Sequence, residues 1–235
     1  GWNMNEILKA ELNEQQYVAA TTIDRPLLII AGAGSGKTRV ITYRIAYMLE
    51  SGIPQSQILA LTFTNKAARE MQQRIRELTG RKLRNLTIST FHAFGVQVLR
   101  DCIHLLDYRD NFSIYDTIDQ TSLLKETARE ISFSLEGEDL RSILGLFSDI
   151  RTGRQKWSRE NHRYLDLFNE YRSHLKLYNS VDFDDLILLP IELFKRFPHV
   201  LDGYRQRYRY FLVDEFQDTS NNQYTFIHLL SSGSK

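Results

Sequence analysis

The stretch AGAGSGKT, residues 31–38, follows directly on the apolar run LLIIA at residues 27–31, and a helical pattern begins at its end. The apolar run is too short for a helix and therefore predicts a buried strand. Glycines allow successive backbone N–H groups to point at phosphate oxygens, and the N-terminus of the next helix adds a favourable dipole. The pattern predicts a phosphate-binding loop between a strand and a helix. Its members are Ala31, Gly32, Ala33, Gly34, Ser35, Gly36, Lys37 and Thr38.

Two residues of this loop have specific chemical tasks. Lys37 would reach the β- and γ-phosphates of a nucleotide, and the hydroxyl of Thr38 would ligate Mg²⁺. Ala31 stands where the strict pattern has glycine, but the later glycines provide the tight backbone approach. The alternative is a glycine-rich turn without a ligand, which the order strand, loop, lysine, helix disfavours.

A second motif, which is acidic, supports the nucleotide site. The run YRYFLV at residues 208–213 predicts a strand that ends in Asp214 and Glu215. The carboxyl ends of parallel strands form the ligand crevice of such sheets. Asp214 would hold Mg²⁺, and Glu215 would orient or deprotonate the attacking water. An acidic strand end alone would be unremarkable, but beside a phosphate loop it predicts an enzyme that hydrolyses nucleoside triphosphates.

The order of strand-like and helical runs predicts the fold class. Short strands alternate with helices over the first hundred residues, whereas residues 99–203 are mostly helical in pattern. We expect an α/β fold, a RecA-like phosphate-loop domain with a parallel sheet and helices on both faces, interrupted by a helical insertion. The predicted motor domain comprises residues 1–98 and 204–235, and the insertion comprises residues 99–203.

Composition is that of an ordinary globular protein, with 42% hydrophobic and 25% charged residues in 235. The single cysteine, Cys102, cannot form an internal disulfide, and its apolar-periodic surroundings predict a buried structural thiol. The apolar runs are too short for a membrane span, and no signal-peptide pattern precedes them. We expect a cytoplasmic protein without a membrane partner.

The charge distribution is uneven although the net charge is only +1. A basic run between residues 66 and 84 contains seven cationic residues and only two acids, Glu70 and Glu77. This run is either a solvated helix face or a surface that contacts phosphates, and the sequence leaves both open. The cations are Lys66, Arg69, Arg74, Arg76, Arg81, Lys82 and Arg84.

The remaining motifs narrow the class of nucleotide-hydrolysing enzyme. The stretch TNKAA at residues 64–68 lacks the acid that pairs with guanine in GTPases, because Ala68 stands in its place. A small-molecule kinase is disfavoured, since the motif DEFQDT at residues 214–219 suits water activation. Together with LNEQQ at 12–16, TFTNKAA at 62–68, TFH at 90–92 and VDFDDL at 181–186, these stretches resemble the superfamily 1 helicases of the Rep/UvrD/PcrA family, and the Rep branch most closely.

This resemblance implies ATP and Mg²⁺ as cofactors and a set of contacts to them. Gln16 would hydrogen-bond the adenine edge, although a polar residue at a helix start is the plainer alternative. Arg39 would lie against the base or sugar of the nucleotide, or else be an exposed helix charge. Asp214 and Thr38 would hold the metal ion.

The resemblance also implies a path for single-stranded DNA. Phe63, Thr64 and Asn65 would face the strand, with the Phe63 ring as a stacking surface, unless that ring belongs to the core. Thr90, Phe91 and His92 would form a second contact, with a structural histidine as the alternative at His92. The insertion resembles the accessory domain of the family. The three acids Asp182, Asp184 and Asp185 are expected to cap and pack rather than bind metal.

The family resemblance implies an ATP-driven helicase and translocase moving 3′ to 5′ on single-stranded DNA and at duplex junctions, with replication or repair proteins as partners. Two alternatives remain, the motor of a helicase–nuclease and a nucleotide-dependent scaffold. The second motor domain of the family has no counterpart after Thr219, so we expect a monomeric piece of a longer protein that hydrolyses ATP poorly and does not unwind DNA. Gly1, Trp2 and Asn3 are expected to be a cloning remnant.

Overall fold

The computed structural model describes residues 4–12, 27–31, 37–62, 64–214 and 221–233. These residues form two compact units. The sheet unit comprises residues 1–94, 197–219 and 223–235, and the helical unit comprises residues 95–196 and 220–222. The boundaries between motor domain and insertion near residues 98 and 204 stay a prediction from the sequence.

The sheet unit is built on four parallel strands, in the order β1-β6-β2-β3. The last strand of the chain lies between the first two, and this brings the carboxyl ends of β1 and β6 side by side. The predicted strand at residue 208 begins two residues later, at Tyr210, because Tyr208 is the C-cap of the preceding helix and its N–H donates to the Tyr204 carbonyl. The Tyr208 hydroxyl also shares a 2.9 Å hydrogen bond with the Thr87 hydroxyl. The strands are β1 (Leu27–Ala31), β2 (Ile58–Thr62), β3 (Thr87–Thr90) and β6 (Tyr210–Asp214).

Both faces of this sheet are covered, as predicted for a parallel sheet. On one face Ile58, Ala60 and Leu212 pack in one apolar cluster against two helices, α2 (Lys37–Glu50) and α3 (Asn65–Thr79). Alternate residues point to the opposite face, and Leu59, Phe211 and their neighbours there are also fully buried. The helices are α1 (Met4–Glu11), α2 (Lys37–Glu50), α3 (Asn65–Thr79), α4 (Phe91–Cys102), α9 (Pro198–Arg207) and α10 (Asn222–Ser231).

The helical unit has its own core, in which α5, α6 and α7 surround Leu124, Phe147, Leu167 and Tyr171. The helix α5 begins at Thr117, because Asp116 and Asp119 form a reciprocal capping box there. The unit also contains a two-stranded parallel sheet that the sequence did not predict. Its elements are β4 (Ser113–Ile114), α5 (Thr117–Glu130), α6 (Leu140–Thr152), α7 (Leu165–Leu177), β5 (Ser180–Val181) and α8 (Asp185–Arg196).

Gly95 permits a close backbone contact within the helical unit. A Cβ at this position of α4 would lie 2.9 Å from the carbonyl carbon of Leu186 and nearer still to its oxygen. Only glycine avoids this clash, so glycine at residue 95 allows α4 to approach the start of α8 this closely.

Cys102 is buried at the end of α4, and its thiol donates to the Val98 carbonyl at 3.1 Å. Burial, followed by the nearby Asp101 charge, raises the pKa of the thiol to about 11, so it stays protonated and unreactive. The predicted structural role is confirmed. Within the described part of the chain, no helix is both long enough and apolar enough to cross a membrane.

Candidate nucleotide and nucleic-acid site

The carboxyl edge of the four-stranded sheet is the candidate site. Parallel pairing places Ala31 at the end of β1 opposite Asp214 at the end of β6, and Thr62 at the end of β2 opposite Thr90 at the end of β3. Neighbouring strands are spaced about 4.8 Å apart, so the four strand ends span roughly 14 Å. Residues separated by most of the chain are thereby gathered at one edge.

Asp214 is the acidic residue of this edge, and its side chain is only 7% exposed. It follows the buried apolar residues Phe211, Leu212 and Val213 on β6. A buried carboxylate is costly unless it is hydrogen-bonded or faces a cation. An oxygen ligand at this position fits a hard divalent cation such as Mg²⁺.

The described residues at the two ends of the phosphate loop are the end of β1 and the start of α2. Strand β1 ends at Ala31, and α2 begins at Lys37 with Thr38 as its second residue. The N-terminus of α2 is thus reached from the strand end that pairs with Asp214. Gln16, Gly32, Ala33, Gly34, Ser35, Gly36, Phe63 and Glu215 lie outside the described residues.

Arg39, on the first turn of α2, lies toward α1 and the middle of α2. Its guanidinium is 3.6 Å from a Glu11 carboxylate oxygen and 5.6 Å from the centre of the Tyr43 ring. Arg74 shares both partners, with 2.6 Å to Glu11 and 2.7 Å to the Tyr43 hydroxyl. Because the Arg39 side chain is 50% exposed, its longer ion pair contributes little to stability, and the side chain can exchange partners at low cost.

Thr64 and Asn65 follow the end of β2, and both are exposed. The Thr64 hydroxyl oxygen accepts a 3.0 Å hydrogen bond from Ala67 N–H and so caps α3. Thr64 is thus the N-cap of α3. A hydroxyl that accepts one hydrogen bond can still donate another, so capping leaves a donor for a phosphate oxygen.

The end of β3 has a similar arrangement. The Thr90 hydroxyl oxygen accepts from Ala93 N–H at 3.0 Å, and His92 is half-buried on the first turn of α4. Phe91 is only 3% exposed, and its ring centre lies 6.4 Å from that of Phe226. In this arrangement the Phe91 ring offers no stacking face to a base, so the DNA contact predicted at Phe91 does not fit its burial. Its packing fixes the position of Thr90 and His92 instead.

The acids of residues 182–185 form a capping and ion-pair network in the helical unit. Asp182 N–H donates to Asp185 and Asp185 N–H donates to Asp182, at 2.8 and 2.9 Å. Arg151 lies 2.8 Å and Arg172 2.9 Å from the Asp185 carboxylate, which is fully buried. The predicted capping role is confirmed, and the described residues contain no group of acids and histidines that could hold a metal ion.

The pKa values of Asp182 and Asp185 shift in opposite directions. Burial and the charge of Asp185 raise the pKa of Asp182 to about 7. Burial also raises the pKa of Asp185, but the nearby Arg151 and Arg172 more than compensate and lower it. Arg151 and Arg172 were missed at the sequence level, because they lie on different helices far from the acids in the chain and no local pattern marks them.

Comparison with known proteins agrees with this arrangement of motifs. Residues 12–235 match the family model described as the UvrD/REP helicase N-terminal domain. The chain is 42% identical over 236 residues to the ATP-dependent DNA helicase PcrA of Bacillus subtilis, covering 97% of this chain and 32% of that protein. It is 41% identical over 240 residues to the PcrA helicase of Leuconostoc citreum, covering 98% and 32%, and 39% identical over 238 residues to that of Staphylococcus aureus strain Mu50, covering 97% and 32%.

The relatives bear on the predicted family and on the predicted branch within it. The chain spans about a third, 32%, of the length of these curated relatives. The predicted family is confirmed, whereas the finer assignment to the Rep branch stays a prediction, since these relatives carry the PcrA name. The pairing of the β1 end at Ala31 with the buried Asp214 agrees with this match, and the match over residues 12–235 shows that the chain belongs to the UvrD/REP helicase family and corresponds to its N-terminal domain.

Proposed function

We propose that the chain is the ATP-binding part of an ATP-dependent DNA helicase and translocase that moves 3′ to 5′ along single-stranded DNA. One observation carries the proposal, the pairing of Ala31 with Asp214 at the edge where β2 and β3 also end. This topology supports the proposal, because it would give the nucleotide and the DNA strand neighbouring positions on one sheet. The family match supports the same activity.

The nucleotide would occupy the β1–β6 side of the edge. Backbone N–H groups of residues 32–36 and the N-terminus of α2 would hold the phosphates, with Lys37 on the β- and γ-phosphates. Thr38 and Asp214 would supply oxygen ligands to Mg²⁺, which when bound neutralises charge on the transferred phosphate. Glu215 would orient the attacking water, and Gln16 and Arg39 would contact the base and sugar.

The DNA strand would cross the β2–β3 side of the edge. Phe63 would offer a stacking surface, and Thr64, Asn65, Thr90 and His92 would contact the backbone. Because Thr64 and Thr90 also cap α3 and α4, a shift of either strand end on nucleotide binding would move a DNA contact directly. Hydrolysis in the whole protein would then be coupled to strand movement.

We expect full activity to need regions of the relatives that this chain does not match, since the chain covers 32% of the length of the Bacillus subtilis helicase. Arginines acting on a transferred phosphate from another domain are worth about 10³–10⁵ in rate. We expect the chain alone to bind nucleotide as a monomer and to turn it over poorly. The whole protein would act in the cytoplasm on single-stranded DNA and duplex junctions, with replication or repair proteins as partners.

The test is a titration of the chain with a fluorescent ATP analogue and Mg²⁺. Lys37→Ala should abolish binding, whereas Lys82→Ala, an equal charge loss at an exposed position on the opposite edge, should leave it unchanged. A parallel titration with labelled single-stranded DNA should show binding that weakens with salt and with Phe63→Ala. Equal nucleotide binding by Lys37→Ala and the unmutated chain would refute the proposal.

A further inference from the structure

The basic run of residues 66–84 divides into two parts in the structure. On α3, Lys66 lies 3.9 Å from Glu70, and Arg74 pairs with Glu11 and Glu77. Arg76 donates to the Gln73 side chain. This helical part is the solvated face that a charge run usually forms. The second part consists of Arg81, Lys82 and Arg84, which lie in the loop after α3 and before β3.

This loop lies at the amino edge of the sheet, opposite to the candidate nucleotide site. The segments that precede β2, β3 and β6 meet there because the three strands are parallel neighbours. Together the segments 80–86 and 207–209 carry five exposed cations, here called the amino-edge cluster. Its members are Arg81, Lys82, Arg84, Arg207 and Arg209.

Hydrogen bonds fix the backbone beneath the amino-edge cluster. The Gln55 side chain donates to the Lys82 carbonyl at 2.8 Å and accepts from Asn85 N–H at 3.3 Å. Arg209 N–H donates to the Gln57 carbonyl at 2.9 Å. The short 3-10 helix at Gln55–Gln57 thus joins the two cationic segments. The cluster is a preformed surface, so binding would cost little ordering of the backbone.

Little negative charge offsets the cluster. In segments 50–57, 80–86 and 207–209, all of them described, Glu50 is the only acid, and it lies 3.7 Å from Arg81. Among described residues, the side chains of Lys82, Arg84 and Arg209 join no ion pair. Five cations against one acid stand out in a chain whose net charge is +1. Such a surface selects a polyanion.

The type of side chain at this edge indicates which polyanion fits. No aromatic side chain is exposed in these three segments, as Tyr208 is fully buried. Single-stranded nucleic acid is typically held by stacking on aromatic rings, which this edge does not provide. A duplex, in contrast, can be held by its phosphates alone.

The spacing of the cations also suits a duplex. Strand β2 separates β6 from β3, so the segment of Arg209 lies about 10 Å from that of Arg84 at strand spacing. The two backbones of B-DNA border grooves about 6 and 12 Å wide. Two groups of cations at this separation can contact one backbone each.

We propose that the amino-edge cluster binds the phosphate backbone of double-stranded DNA, on the edge of the sheet opposite to the nucleotide. The choice of DNA among polyanions rests on the proposed function. The contact is independent of base sequence and of nucleotide. It would hold duplex DNA near the motor without occupying the path of the single strand.

The test is the salt dependence of binding to a short, blunt-ended, labelled duplex without nucleotide, measured by fluorescence anisotropy. Each phosphate contact contributes about 0.9 to the slope of log affinity against log salt. The double variant Arg84→Gln/Arg209→Gln should therefore lower the slope by about 1.8. The control Arg69→Gln/Arg76→Gln removes the same charge from exposed positions on α3 and should leave the slope unchanged. All four positions are exposed, and matching circular dichroism and Tm values would confirm intact folding.

Equal slopes for both double variants, whether lowered or unchanged, would overturn the proposal. A labelled polyglutamate peptide tests whether the amino-edge cluster instead binds an acidic protein segment. Loss of peptide binding in Arg84→Gln/Arg209→Gln with unchanged duplex binding would also overturn it, in favour of an acidic protein segment. Lys37→Ala should bind the duplex normally, so failure of the nucleotide titration and failure of this inference remain distinguishable.

Discussion

Gly95→Ala should destabilise the protein although alanine favours a helix. The new Cβ would lie 2.9 Å from the Leu186 carbonyl carbon, whereas carbon atoms in contact are ordinarily about 3.5–4.0 Å apart. Both partners in this clash are tied to backbone, so no side-chain rotation relieves it. Overpacking costs up to about 3 kcal/mol, and replacing glycine in a helix gains about 1 kcal/mol, which leaves a net loss of about 2 kcal/mol.

The matched control is Gly145→Ala on α6, where the same substitution meets nothing within 4 Å. It should gain the helix propensity alone, about 1 kcal/mol. In a chain of this size a change of 1 kcal/mol shifts Tm by about 2–4 °C. Thermal unfolding followed by circular dichroism should therefore show Tm about 4–8 °C lower for Gly95→Ala and about 2–4 °C higher for Gly145→Ala. A rise of Tm in both variants would refute the close approach of α4 to Leu186.

Two further predictions concern capping and pH. Thr64→Ala should remove the α3 cap and cost about 1 kcal/mol in the free energy of unfolding by urea, while Thr64→Ser should keep it; an equal loss in both would contradict the cap. Because the pKa of Asp182 is raised to about 7, the folded state binds a proton that the unfolded state releases above about 4, so this residue's contribution to stability is lost as pH rises through 4–7. The groups facing it are Asp185, Arg151 and Arg172. Asp182→Asn keeps a capping oxygen and should flatten the fall of unfolding free energy over that range, and an unchanged pH profile would contradict the assignment.

The sequence predicted those features that depend on local chemistry. The strand before the phosphate loop and the acid at the end of β6 each follow from a few adjacent residues. The parallel sheet also followed from the alternation of strands and helices. The start of β6 was predicted two residues early, because Tyr208 ends the preceding helix although it belongs to the strand-like run.

Features that depend on the packing of distant segments were not predictable. Burial of Phe91 against Phe226 depends on where α10 packs, and no pattern around residue 91 reveals it. The joining of Arg151 and Arg172 to Asp185 depends on the packing of three helices. Division of the basic run into a helix face and the loop of Arg81, Lys82 and Arg84 depends on where α3 ends. In each case the local residues allow several outcomes, and tertiary contacts select one.

The position of β6 bears on the proposed function. Because β6 lies between β1 and β2, it contacts the strand that ends at Ala31 and the strand that leads into the Thr64 cap. If Asp214 holds the metal ion as proposed, a change there would reach either side through backbone hydrogen bonds. Under the proposal, this arrangement would give a short physical connection between nucleotide state and DNA contact.

The most direct test of the proposed nucleotide site is the Mg²⁺ dependence of nucleotide binding in Asp214→Asn. The fluorescent ATP analogue should bind the unmutated chain at least about tenfold more tightly with Mg²⁺ than with a chelator, a difference of about 1.4 kcal/mol. Asp214→Asn should lose this difference, whereas Asp202→Asn, at an exposed position on α9, should keep it. The same Mg²⁺ dependence in all three proteins would contradict the assignment of the sheet's carboxyl edge as the nucleotide site.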